Sequence, residues 1–530
     1  FNDQMKGALQ IMLVAVGLLA VVGLAAAVWN ASEADGIGVE SFTVPPGFVA
    51  DGMGGVTVAD DVTNKIAAIR DTASGNSFAR SKDVHNDRDQ DIKVEIPETG
   101  ISLAQAWRYM KAWLGHERPL RGNVRRTAEG KIALTLMLAG DSAVTFAGPA
   151  ADLDKLEQQA AEHVFASVDP SNYVLYLDAQ DRGSEAYATI AALAQSPVDP
   201  TLRAGYTSLW SAMTRGALGD VPLSMARARY SLTLDPRMVV SHREIMAGAQ
   251  LLGQEEVALN ESQKLLTARE ADLPPAFHGH GFVELMGTAT LERDTASGDF
   301  RRAQDDPCFY CSAADGLLQR VEYDARVHDP AQSGADIATA LATGDVSPVA
   351  LARAHVFADE AAGNWHAAAG DAKAYGDAIM VIAVGPHHNT YPVRYAELKA
   401  STFEAPLRAE ALARSGDFTA AQSAIDATAR DCYHCVRVRG VIDALQRKWG
   451  SAAARFGFAA EQAPSLPFAY LDWGQMLMAK RDLDGAIAKF TLANRKGPHF
   501  ADPLEMWGEA LIAKNRSDLA LAKFEETDRY

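Results

Sequence analysis

Four cysteines stand in two pairs of equal spacing, Cys308-Phe309-Tyr310-Cys311 and Cys432-Tyr433-His434-Cys435, and each pair follows the word SGDF, at Ser297–Phe300 and Ser415–Phe418. Cysteines with two residues between them can close a local disulfide, give half of a four-thiolate zinc site, or act as a redox dithiol. One structural disulfide per pair is the leading expectation in an oxidising compartment, because it would pin the end of one helix to the start of the next. A shared zinc would need the fold to bring the two distant pairs together, and a thioredoxin-like dithiol should open a helix beside a βαβ core that the neighbouring sequence does not offer. Free thiols are the remaining alternative. Histidines occur as His278 and His280 and as His387 and His388, but neither group has a carboxylate at a metal-site spacing, so loop or capping roles are expected. DGMGG at 51–55 lacks the Lys and Ser/Thr of a phosphate loop, and no Gly-x-Ser-x-Gly or His-Glu-x-x-His word is present. The expectation is a protein that is not an enzyme, with no catalytic residue, cofactor or metal.

The elements that position these residues repeat. AIAKF at 486–490 returns as ALAKF at 520–524, an offset of 34 residues that also relates Trp473 to Trp507, Gly474 to Gly508, Ala486 to Ala520 and Phe490 to Phe524. The same offset reaches back to Gly440, Ala452 and Phe456. A small residue on one helix and an aromatic on the next let two helices approach and then fill the gap, so these eleven positions are expected to be packing residues and not ligand contacts. Upstream, 226–236, 363–375 and 415–425 carry the turn, alanine and aromatic order of a second helix.

This pattern resembles the tetratricopeptide repeat family, whose unit is a helix, a turn and a second helix of 34 residues. The resemblance implies a stacked α-solenoid over residues 170–530, since no single unit buries its own apolar face, and a surface that binds other proteins.

Before the repeats, 38–168 alternates between periods of two and 3.6: strands at 39–44, 92–96, 120–127, 131–138 and 142–148, helices at 58–73, 102–115 and 152–168. That is a small membrane-proximal α+β domain, and LRGNVRRTAEGKIALTLML with the polar helix after it resembles the TolB N-terminal type of domain. Residues 1–30 hold the apolar run 8–29, about 33 Å as a helix, which is read as one transmembrane helix. Lys6 before it and Glu33, Asp35 and Glu40 after it point to a single-pass inner-membrane protein of a bacterium with its bulk in the periplasm. Phe1 is not an initiator residue, so native sequence is expected to precede it.

A formal charge of −18 and a pI near 5.2, without clustered Lys and Arg, exclude a nucleic-acid partner. Scattered Asp and Glu are read as solvated helix faces. The expected fold is mainly α: a tetratricopeptide-like solenoid preceded by one transmembrane helix and the α+β domain. The expected function is a membrane-anchored periplasmic scaffold for protein–protein interactions, such as an accessory subunit of a membrane complex. The alternative is the periplasmic sensor region of a signalling protein whose cytoplasmic effector lies outside this chain. Neither the oligomeric state nor the partner's identity is legible.

Overall fold

The computed structural model of the protein describes residues 36–50, 54–74, 83–86, 118–273, 280–306, 312–344, 346–384 and 392–530. It divides into two compact units, the first ending at Gln180 and the second spanning Asp181–Tyr530.

In the first unit, β1 (Gly36–Val39), α1 (Pro46–Ala50), α2 (Gly55–Ser74), β2 (Asp83–Asn86), β3 (Arg118–Arg126), β4 (Ile132–Leu138), β5 (Val144–Gly148), α3 (Leu153–Val168) and α4 (Pro170–Ala179) follow one another. The sheet order is β2-β1-β3-β4-β5. β1 runs parallel to both of its neighbours, whereas β3, β4 and β5 form an antiparallel meander. Alternation in the strands sends Leu120, Val124, Leu134 and Leu136 to a core that also buries Val62, Ile66, Leu156 and Val164. The first strand forms earlier than the expected 39–44, of which only Thr43 makes a further bridge, to Asn123. The expected strand at 92–96 and helix at 102–115 lie outside the described residues. The division after Gln180 falls later than the expected boundary near 170 because α4 belongs to the first unit: Tyr176 Oη bonds to Glu162 and Gln158 of α3.

The expectation of a single-pass inner-membrane protein with a periplasmic bulk is corrected. Among the described residues no helix is long and apolar enough to cross a membrane, and the run 8–29 lies outside them.

The second unit is helical. It comprises α5 (Gly183–Gln195), α6 (Pro200–Leu218), α7 (Val221–Leu234), α8 (Val240–Leu251), α9 (Glu255–Leu266), α10 (His280–Ser297), α11 (Phe300–Asp305), α12 (Ala313–Arg326), α13 (Pro330–Thr343), α14 (Pro348–Ala361), α15 (Trp365–Val384), α16 (Val393–Lys399), α17 (Ala405–Arg414), α18 (Phe418–Asp426), α19 (Tyr433–Leu445), α20 (Trp449–Gln462), α21 (Phe468–Ala479), α22 (Leu483–Lys496), α23 (Ala501–Ala513) and α24 (Ser517–Thr527). From α6 onward they pair as consecutive antiparallel helices, with α16 and α17 joined into one rod by a π turn at Ala400–Glu404. Pro406 explains that turn, since it has no N–H to donate to the carbonyl of Thr402. Many helices begin at an Asp followed closely by Pro: Asp199, Asp220 and Asp329 each accept a backbone N–H of the first turn, and Pro sits where no donor is needed.

The turns of the early pairs are packed against the starts of late helices. Gly219 meets Arg394 and Tyr395, Gly253 meets Cys432, and Gly298 meets Phe500. Along this seam Tyr433 N donates to Gly253 O at 2.9 Å, Thr402 Oγ1 to Leu251 O at 2.9 Å and Ser465 N to Glu256 at 3.0 Å. Apolar clusters cross it as well: Leu259 and Ala296 with Tyr433, Ala463 and Leu466, and Phe300 with Phe490 and Phe500.

Candidate functional site

The repeat residues meet within their own units. A Cβ at Gly440 or Gly508 would lie 2.5 Å from the ring of Phe456 or Phe524, and Gly474 is equally tight against Phe490. Ala452, Ala486, Phe456 and Phe490 are fully buried and Ala520 nearly so, while Phe524 is half-buried. Lys489 stacks 3.2 Å from the ring centre of Trp473 and Lys523 4.3 Å from that of Trp507, the same pair one repeat later. In the preceding unit Arg439 stands where these tryptophans do and bonds instead to Ile425 O and Thr428 O.

Cys432 caps α19, its Sγ accepting from Cys435 N at 3.2 Å, and the two sulfurs are joined with their Cα atoms 5.2 Å apart. Both cysteines are wholly buried. Cys308, Cys311, His278, His387 and His388 lie outside the described residues, and of His280 only the backbone, at the start of α10, is described. Among the described residues no group of three His, Cys, Asp or Glu could hold a metal ion.

The residues with the strongest mutual electrostatics are others. Arg437 on α19 donates through Nε to Asp472 of α21 at 2.7 Å, with its guanidinium over the rings of Phe468 at 5.2 Å and Tyr433 at 5.7 Å. Arg414 pairs with Glu410 on α17 at 2.7 Å and stacks on Trp365 at 4.9 Å. Arg353 on α14 pairs with Glu322 on α12, and both Arg353 and Arg326 lie over Phe357. These pairs feel one another: Glu360 senses Arg326, Glu410 and Arg414, and Glu410 senses Arg437 and His434. At the other end Glu255 senses Glu292 of α10 and then Arg437. First helices of six successive pairs, α10, α12, α14, α17, α19 and α21, therefore point charged side chains at a common interior.

Sequence reasoning read such Asp and Glu as solvated faces, and that is corrected for this set, since desolvation is the leading influence on it. Burial pushes Glu360 and Glu404 up to about 7, and it raises Glu255 and Glu292, which also repel each other. Burial would raise Glu410 too, but Arg414 overrides it and holds that carboxyl at about 2. His434 is kept neutral, lowered to about 3 by burial and by Arg437. The signal in the sequence was weak: charges interrupting the apolar pattern of first helices, with the same residue types as the outer faces.

A pH dependence follows. Carboxyls whose folded pKa is raised hold more protons folded than unfolded, so their contribution to stability is present at low pH and lost as pH rises through the folded value. His434 works oppositely, but its contribution is complete above the ordinary histidine range near 6.5. Between pH 6.5 and 8.5 stability should therefore fall, by about 1–3 kcal/mol for several such groups, read as a lower urea midpoint at pH 8.5. A rising midpoint would contradict the raised carboxyls.

No family model and no curated protein matches the chain. Among solved structures the chain is similar to the APC/C hetero-tetramer Cut9–Hcn1 (10% identity, 71% of this chain and 83% of that one, TM-score 0.32). It is also similar to yeast Tom70 (15%, 69% and 76%, TM-score 0.26) and to the P58(IPK) TPR domain (14%, 65% and 97%, TM-score 0.21). Likenesses this weak carry no argument, and the tetratricopeptide-like character of the helical unit rests on its own 34-residue packing. The resemblance of 38–168 to the TolB N-terminal type of domain finds no support in these comparisons.

Proposed function

We propose that the helical unit is a protein-interaction scaffold whose first-helix face receives an extended, polar segment of a partner protein. The observation that supports this reading is the track of charges on six successive first helices: guanidiniums braced on aromatic rings alternate with carboxylates along the stack instead of converging on one atom. A converging set would suit a reacting centre, whereas an extended one suits a chain with many side chains. Exposed Arg326 offers a positive charge to a partner, and Glu255 and Glu360, which have no ion pair among the described residues and hold their protons near neutral pH, offer carboxyl groups for hydrogen bonds. The pairing of Cys432 with Cys435, and of Cys308 with Cys311, is proposed as structural reinforcement of the turns between units, alongside the packing role of the Gly, Ala, Trp and Phe positions.

The reading is tested by affinity capture with the wild-type chain and with Arg326→Glu. Arg326 is exposed, lies over the Phe357 ring and attracts Glu360, so the variant should melt only slightly lower, and its melting temperature is measured beside recovery. Recovery of bound proteins should drop about tenfold, as expected for a charge-reversed contact. Unchanged recovery at unchanged stability would overturn the assignment of this face.

A further inference from the structure

The joined sulfurs of Cys432 and Cys435 sit in the middle of the seam between early and late repeats. We propose that they are a reversible redox latch: oxidised, they hold the α8–α9 turn against α19, and reduced, they release it beside the charged inner face. The proposal depends on the scaffold reading only for the consequence of release, not for the latch itself.

The geometry makes this contact tight on both sides. Gly253, at the α8–α9 turn, has φ 66°, and a Cβ there would lie 2.8 Å from both Cβ and Sγ of Cys432. The next residue, Tyr433, donates its N–H to Gly253 O at 2.9 Å. Cys435 faces the opposite wall, its Sγ 3.9 Å from Ser401 O, and the adjoining Thr402 hydroxyl bonds to Leu251 O at 2.9 Å. One sulfur thus abuts the turn and the other the π turn, and both walls are tied to each other through Leu251. Two unbonded sulfurs must stand at van der Waals separation, further apart than a covalent bond holds them, and both are buried, Cys432 against Gly253 and Cys435 beside Ser401, so these walls take up the added separation.

The chemistry balances with an external dithiol. Its thiolate attacks one sulfur, the mixed disulfide is resolved by its second thiol, and it leaves as a disulfide while two electrons and two protons end on Cys432 and Cys435. Cys432 lies at the N-terminus of a 13-residue helix, where a thiolate is stabilised, which favours the open form once it is reached. Burial means that attack waits for a fluctuation of the seam, so reduction traps an opening that already occurs. Because Tyr433, His434 and Arg437 are on the same helix, movement of its first turn carries part of the inner face with it.

The test uses the full chain with Cys308→Ser and Cys311→Ser, which leaves Cys432 and Cys435 as its only cysteines. Hydrogen exchange is followed with and without dithiothreitol, and reduction is verified by two alkylated thiols. Peptides covering the α8–α9 turn and the start of α19 should exchange about tenfold faster when reduced, peptides of β3 and β4 should not change, and re-oxidation should restore protection. Gly253→Ala should open the same peptides without any reductant, and reduction should then add little. Three results would overturn the latch: unchanged exchange with two thiols alkylated, uniform acceleration over the whole chain, or sulfurs that resist reduction until the protein is denatured. The readout is the seam and not partner binding, so failure here and failure of the scaffold reading are told apart.

Discussion

Replacing Phe490 by alanine costs about 3–5 kcal/mol of folding stability, the range for deleting a buried aromatic ring, while the same change at Phe524 costs less than half of that. Phe490 is fully buried between Gly474 in its own unit and the helices of the next, in a cluster with Leu471, Ala486, Ala493 and Ala510. Phe524 makes the equivalent contact with Gly508 but remains half-buried. Urea unfolding followed by circular dichroism measures both, and the ratio matters more than either value. Equal losses would mean that burial between units contributes little and that the contact inside each unit carries the energy.

The second large effect concerns the inner face. Asp472→Ala leaves Arg437 without its ion-pair partner between two aromatic rings, and truncating one member of a buried pair costs about 3–5 kcal/mol because the surviving charge stays desolvated. The side chains of Arg437 and Asp472 are only 19% and 8% exposed, whereas Arg516 and Asp518, an ion pair of the same type, are 51% and 65% exposed. Asp518→Ala should therefore cost under about 1 kcal/mol. Replacing both Arg437 and Asp472 with apolar residues of similar size should recover most of the loss. If Asp472→Ala and Asp518→Ala are equally mild, the inner face is as wet as the outer surface and its electrostatics have been misassigned.

What the sequence disclosed and what it hid divide along contact range. Gly440 with Phe456, Gly474 with Phe490 and Gly508 with Phe524 touch across 16 residues and recur at 34, so composition and spacing alone expose them. The β3–β4 hairpin is equally local, its ladder pairing Arg126 with Ile132 and Leu120 with Leu138. The seam was not legible, because Gly253 and Cys432 are distant in the chain and neither residue type announces the other. Nor was the inner face: Glu360 and Asp472 look like any helical acid until packing removes their water. Early pairs such as α8 and α9 also escaped the period, since α10 begins after a long connection and α11 is only six residues long.

Partner binding along the first helices is tested with a photo-cross-linking residue at position 360, on the inner face, or at position 525, on the exposed side of α24. Irradiation in the presence of the captured partner should give adducts from position 360 and few from position 525. Adducts from 525 alone, with position 360 silent in a folded chain, would contradict a partner bound along the first helices.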